Sequence, residues 1–184
     1  HLPGSSNNNY RLPMKQLTIF RILTFTLLPI AAMFGFFDLI LLVSALANPA
    51  FLLVVFILAA FVIYTFSSLK FLTKGIDLNG PCKPSLRDWI RVNAYVSSFM
   101  GIMFLLNALS VFFTSDITLR QYLSQFLENQ PNIPPMLNIE LFMRIMKMVA
   151  YFMLFLSAVL LIHIILNFRI MKQYRHLFDT AAPE

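Results

Sequence analysis

The sequence predicts an all-α integral membrane protein, a four-transmembrane-helix bundle with an additional short amphipathic helix in the outer loop between the third and fourth spans. Three observations predict it. Hydrophobic residues make up 59% of the 184-residue chain and charged residues 12%, whereas about a quarter of a soluble globule is charged. The apolar residues fall in four long runs, 18–47, 49–72, 92–113 and 148–168, and each reaches the roughly 20 residues that cross a hydrocarbon core about 30 Å thick. With 20 phenylalanines, 10 methionines and only 5 glycines, these runs consist of residues that a helix accommodates. A buried helix of a soluble protein can imitate one such run, but not four.

Residues 1–16, which open with HLPGSSNNNYRLP, have the composition of a disordered or vector-derived segment, with Met14 a natural start. A single four-helix transmembrane domain is expected over 17–177 and a flexible tail over 178–184. The first run is too long for the apolar core of a signal peptide, and it leads directly into a second span. Between them Asn48-Pro49 supplies an N-cap and a proline for the first helical position, which predicts a tight hairpin. The second loop, TKGIDLNGPCKPSLRDW, carries two glycines and two prolines. It is expected to end span two near Lys74 and to place Trp89 at a membrane interface, with Ser85 capping a helix from Leu86.

The third loop contains SDITLRQYLSQFLENQ, in which Ile117, Tyr122, Leu123, Phe126 and Leu127 recur at helical spacing. An amphipathic helix over 116–129, capped by Ser115 or Asp116, is expected to lie on the outer membrane surface or to fold over the bundle, the former favoured. Pro131, Pro134 and Pro135 then break the chain. Asn138 caps a last helix expected from about Ile139 to about Leu177, longer than the bilayer needs.

Charge gives the orientation. Arg11, Lys15 and Arg21, then Lys70, Lys74, Lys83, Arg87 and Arg91, then Arg169, Lys172 and Arg175 place eleven cations on one side; Arg120, Arg144 and Lys147 place three on the other. By the positive-inside rule both termini and the second loop are cytoplasmic, as in a bacterial cytoplasmic (inner) membrane. The net charge of +6 is thereby accounted for by topology and anionic lipid, so no nucleic-acid partner is expected. Arg144 and Lys147 are expected to snorkel to the outer head groups.

Polar residues inside the spans are the candidate site residues. Asp38 stands about 7 Å to the outer side of the centre of span one, where a lipid-facing carboxylate would cost roughly 2.5–3.5 kcal/mol. It is therefore expected on the packing face, with Thr24, Leu28, Ala31, Gly35, Leu42 and Ala45. Its role is open between a hydrogen bond between helices, an ion or proton site, and a substrate contact. Asn107 of span three falls at about the same depth and is the expected partner of Asp38. A second polar level on the cytoplasmic side gathers Tyr64, Thr65, Ser97, Ser98 and His163, with Asn167 one turn deeper. His163 and Asn167, four apart, can share a face. Small residues at Ala31, Gly35 and Gly101 mark candidate helix-packing or self-association faces.

No nucleophile elbow, phosphate loop or Cys-x-x-Cys is present. The lone Cys82 and the dispersed histidines His1, His163 and His176 give no expected metal or cofactor site. The methionines around Met143 and Met153 fill apolar space. The expectation is a small polytopic protein of structural, scaffolding or accessory type that self-associates, with membrane lipids and a further membrane protein as possible partners. The alternative is a proton- or cation-conducting channel or transporter subunit that uses Asp38 and Asn107. An enzyme acting on a lipid head group is the third and weakest reading.

Overall fold

The computed structural model describes residues 14–128 and 139–179, and every regular element among them is helical. In order they are α1 (Met14–Ala47), α2 (Leu52–Lys70), α3 (Pro84–Phe113), α4 (Asp116–Glu128), α5 (Ile139–Gln173) and α6 (His176–Asp179). Lys15–Ala47, Pro49–Asp77, Pro84–Phe113 and Ile139–Gln173 are each long and apolar enough to cross a membrane. The protein is an all-α, four-helix integral membrane bundle. Large apolar side chains such as Phe36, Leu39, Val43, Leu53, Phe99 and Leu106 point outward, which is stable only where lipid takes the place of water.

The contacts divide the chain into two compact units, His1–Ser97 with Ile162–Glu184, and Ser98–Leu161. In the first, α1 packs on α2 through a hairpin closed by a 3₁₀ turn at Pro49–Phe51. Asn48 adopts the extended backbone of an N-cap and its side chain accepts from the Ala50 N–H at 3.0 Å, with Pro49 at the first helical position. That position needs no N–H donor, so the Asn-Pro pair starts the second helix without an unpaired group.

Several boundaries differ from expectation. Helix α1 starts at Met14, inside the segment expected to be disordered; residues 1–13 lie outside the described residues, as do Asn138 and the three prolines before it. After α2 the chain continues as a π-helix, Phe71–Asp77, instead of ending near Lys74. Helix α3 begins at Pro84, one residue before the expected cap at Ser85 and well before position 92. Proline is pre-organised for a first turn, and the basic residues Arg87 and Arg91 suit a helix that runs through the head-group layer.

The loop between α2 and α3 turns at Asn79, whose φ of 48° is left-handed and is tolerated best by asparagine among residues with a Cβ. Gly80 N–H then donates to Lys74 O at 3.1 Å, and a Cβ on Gly80 would stand 2.9 Å from that same oxygen. Only glycine closes this turn.

The expected tail is not a tail as far as it is described. Helix α5 ends at Gln173 rather than near Leu177, and a turn at Tyr174 and Arg175 leads into α6. Cys82 N–H donates to Leu177 O at 2.7 Å, and the Phe178 ring stacks on Phe71 with centroids 5.3 Å apart. Leu177 and Phe178 are both buried. An apolar pair so placed gains more from burial than it loses in chain entropy.

In the second unit α4 is tied to α5. Ser115 caps α4 by accepting from Thr118 N–H at 3.2 Å. Two ion pairs join the helices, Arg120 with Glu140 and Lys147 with Asp116 at 2.8 Å. Lys147 therefore pairs with a carboxylate of its own chain instead of snorkelling, because α4 brings Asp116 within reach. Leu119 is buried while Ile117, Tyr122 and Phe126 are exposed, so α4 is bound to α5 by one strip and free to touch lipid with another.

The hydrogen bond and charge of Lys147 hold the Asp116 carboxyl below its ordinary value of 3.8. A carboxyl lowered in the folded state adds stability above its unfolded pKa and loses it as pH falls through the folded value. A spin label at Gln121→Cys is expected to gain mobility as pH falls below 3.8 and through the lowered pKa of this carboxyl. Asp116→Asn should show that mobility at neutral pH already. Unchanged mobility across the titration would refute the clip.

Candidate functional site

Three helices of the first unit each present two residues, four apart, to one buried point: Phe20 and Thr24 from α1, Tyr64 and Ser68 from α2, and His163 and Asn167 from α5. All six are at most 1% exposed. Spacing of four puts each pair on one face of its helix, one turn apart.

His163 is the centre. Its ring stacks on Phe20 with centroids 4.8 Å apart and planes at 15°, and meets the Tyr64 ring edge-on at 5.4 Å. Nε2 lies 2.9 Å from Thr24 Oγ1, and Nδ1 lies 2.7 Å from the Tyr64 hydroxyl. Asn167 Nδ2 donates to Ser68 Oγ at 2.7 Å and to the Tyr64 oxygen at 3.3 Å.

The proton positions follow from counting donors. The Thr24 hydroxyl has one proton, which goes to Phe20 O at 2.8 Å, so Thr24 Oγ1 accepts from His163 Nε2–H. A neutral imidazole with its proton on Nε2 accepts at Nδ1, so the Tyr64 O–H donates there. Tyr64 in turn accepts from Asn167. The bonds thus run one way, from Asn167 through Tyr64, His163 and Thr24 to a backbone carbonyl. A second proton on His163 would set Nδ1–H against the Tyr64 O–H. The arrangement is a latch that joins α1, α2 and α5 around a neutral histidine.

No family model, no curated protein and no solved structure matches the chain.

Of the sequence candidates, the structure brings together Tyr64, His163 and Asn167. Thr65 is buried but returns its hydroxyl to Phe61 O on its own helix at 2.9 Å. Ser97 is fully buried with no hydrogen-bond partner for its oxygen, and Ser98 is half-buried. Asn167 Oδ1 is likewise unpartnered. Asp38 is half-buried and its Oδ1 accepts no hydrogen bond. Asn107 is exposed, and its amide donates to Met103 O of its own helix at 2.7 Å. Asp38 also stands fourteen residues beyond Thr24 on α1, about 21 Å along the helix, far from the latch.

The small residues expected at helix-packing faces do meet neighbouring helices of the same chain. Ala31 is fully buried. A Cβ on Gly35 would meet Val62 of α2 at 3.6 Å, and one on Gly101 would meet Leu161 of α5 at 3.2 Å. These small residues let helices of one chain approach, with Gly101 buried and Gly35 half-buried.

Phe20, Thr24 and Ser68 were not anticipated at this site. The signal was present: in each of three apolar runs a polar residue stands four positions from an aromatic or polar one. Thr24 is inconspicuous in sequence because the run 18–47 is longer than the bilayer is thick, so its middle does not fix the depth of a residue near its start.

Proposed function

We propose that the protein is a small polytopic membrane protein of structural, scaffolding or accessory type in a bacterial cytoplasmic membrane. Both termini and the α2–α3 loop face the cytoplasm, as the cation distribution of eleven against three indicates. The observation that supports this reading is the latch. Its polar groups are closed off from solvent and hydrogen-bonded mainly to one another, so they hold helices together and leave His163 without access for a substrate or head group.

A second copy or another membrane protein is the partner we propose. Support comes from α1, whose apolar stretch is only 11% buried against 39% for α5. Beyond Ala31 it presents Phe36, Phe37, Leu39, Ile40 and Val43 outward.

The channel or transporter reading keeps one observation, the unpartnered Asp38 Oδ1 inside a span. Ionisable groups at such depth are expensive and often lie on ion pathways. Purified protein in liposomes is expected to carry protons and monovalent cations no faster than protein-free vesicles, with Asp38→Asn indistinguishable. Its mass in nanodiscs should correspond to a small closed assembly. Flux that Asp38→Asn abolishes would replace the scaffold reading with the transport one.

A further inference from the structure

In the first unit, α3 and the end of α5 enclose a cleft of about 570 Å³ lined by Arg87, Arg91, Tyr95, Phe168, Met171, Lys172 and Arg175. The residues change in kind from one end to the other. On α3, positions 87, 91 and 95 share one face; on α5 and just after it, 168, 171, 172 and 175 share another. The helices run antiparallel there. Tyr95 meets Phe168 with ring centroids 5.8 Å apart, and stepping back along α3 while stepping forward along α5 leads to the cationic end. Arg87 and Arg175 stand at one end and Tyr95 and Phe168 at the other, about 12 Å away along α3.

Four cations and no carboxylate line this space. Among the described residues no carboxylate pairs with Arg91 or Lys172. Arg87 Nε is shielded without a hydrogen-bond acceptor, and Asp88, the nearest carboxylate oxygen, is 3.7 Å from it. Arg91 and Lys172 therefore add like charge that no carboxylate among the described residues offsets, and guanidinium forks match a phosphate. Exposed Trp89, between Arg87 and Arg91 on the same helix, marks the head-group level. The apolar end therefore lies deeper in the bilayer than the cationic end.

We propose that this cleft binds one anionic glycerophospholipid, with its phosphodiester among Arg87, Arg91, Lys172 and Arg175 and the start of an acyl chain against Tyr95, Phe168 and Met171. The polarity of the cleft selects a lipid over a free anion, since an inorganic phosphate would leave the aromatic end unused. The site goes beyond the scaffold reading and survives its failure, because binding is measured without reference to flux or assembly.

The test is native mass spectrometry of delipidated protein in neutral detergent, titrated with dioctanoyl phosphatidylglycerol or dioctanoyl phosphatidylcholine. The wild type should retain one phosphatidylglycerol at concentrations where phosphatidylcholine is lost. Arg91→Gln with Lys172→Gln should weaken this at least tenfold. Lys70→Gln with Lys74→Gln, which removes the same charge from another patch, should change it less than threefold. Equal losses in the two pairs, equal retention of the two lipids, or displacement by inorganic phosphate at the lipid's own concentration would each overturn the proposal. If the first pair does not fold, a photoreactive phosphatidylglycerol on the wild type decides. Labels within 87–95 and 168–175 support the site, and labels elsewhere refute it.

Discussion

Replacing His163 with alanine is expected to destabilise the protein by about 3–5 kcal/mol, the range for removing a large buried ring. The imidazole fills the space between Phe20 and Tyr64 and satisfies two hydroxyl groups. Hydrogen bonds between membrane helices average about 0.6 kcal/mol, so the lost packing should outweigh the lost bonds. His163→Phe separates the two terms. It keeps the ring volume and the stack but leaves the Tyr64 O–H without an acceptor and takes from Thr24 Oγ1 the bond it accepts, for an expected cost of about 1–3 kcal/mol. Adding Tyr64→Phe to His163→Phe should then cost less than the sum of the single changes, since the stranded hydroxyl is gone. Reversible unfolding in mixed detergent micelles reads all of these. A loss below about 1 kcal/mol for alanine would show that the latch does not hold the helices.

The second large effect is expected at Gly75→Val. A Cβ there would stand 2.9 Å from Cys82 Sγ and 3.1 Å from the Phe71 ring, so a branched side chain must displace one or both. Cys82 carries the N–H that holds Leu177 O, and Phe71 carries the ring on which Phe178 stacks. Overpacking of this kind costs about 1–3 kcal/mol, and here the movement falls on the contacts that dock the chain end. Cys82 reports it directly. Burial pushes its thiol pKa up, with Lys70 pulling partly back, and the residue is 4% exposed. Maleimide should label the wild type slowly at neutral pH because both access and thiolate are scarce. Raising the pH should speed the reaction by increasing the thiolate. Gly75→Val should label at least tenfold faster, without the loss of helix content that global unfolding would bring. Equal labelling of the two proteins would refute the docked end.

Periodicity and length made the membrane helices legible, because a span needs a long apolar run and little else does. The Asn48-Pro49 hairpin was legible too, since cap and proline act within a few residues. Boundaries such as Pro84 and Gln173 were not. The interface accepts both helix and loop, and basic residues there say only that water is near. The docking of Phe178 on Phe71 was hidden because it joins distant parts of the chain and leaves no local pattern. The latch was half legible. His163, Asn167 and Tyr64 stand out as polar residues in apolar runs, but Thr24 and Ser68 are common enough in membrane helices, where they bond to their own backbone, to attract no notice. Asp38 is the costliest residue for its span, yet its Oδ1 accepts no hydrogen bond, since cost marks a residue as unusual without saying what it touches.

The latch also bears on the order of assembly during synthesis. Tyr64 and Ser68 leave the ribosome with α2, and Thr24 with α1 before it, while His163 follows Ser68 by ninety-five residues. At about 5–20 residues per second, the early hairpin waits roughly 5–20 s in the insertion machinery before its polar partner arrives. During that interval two hydroxyl-bearing faces must be held by a translocon, a chaperone or each other. The fourth spanning helix is the one that completes the first two.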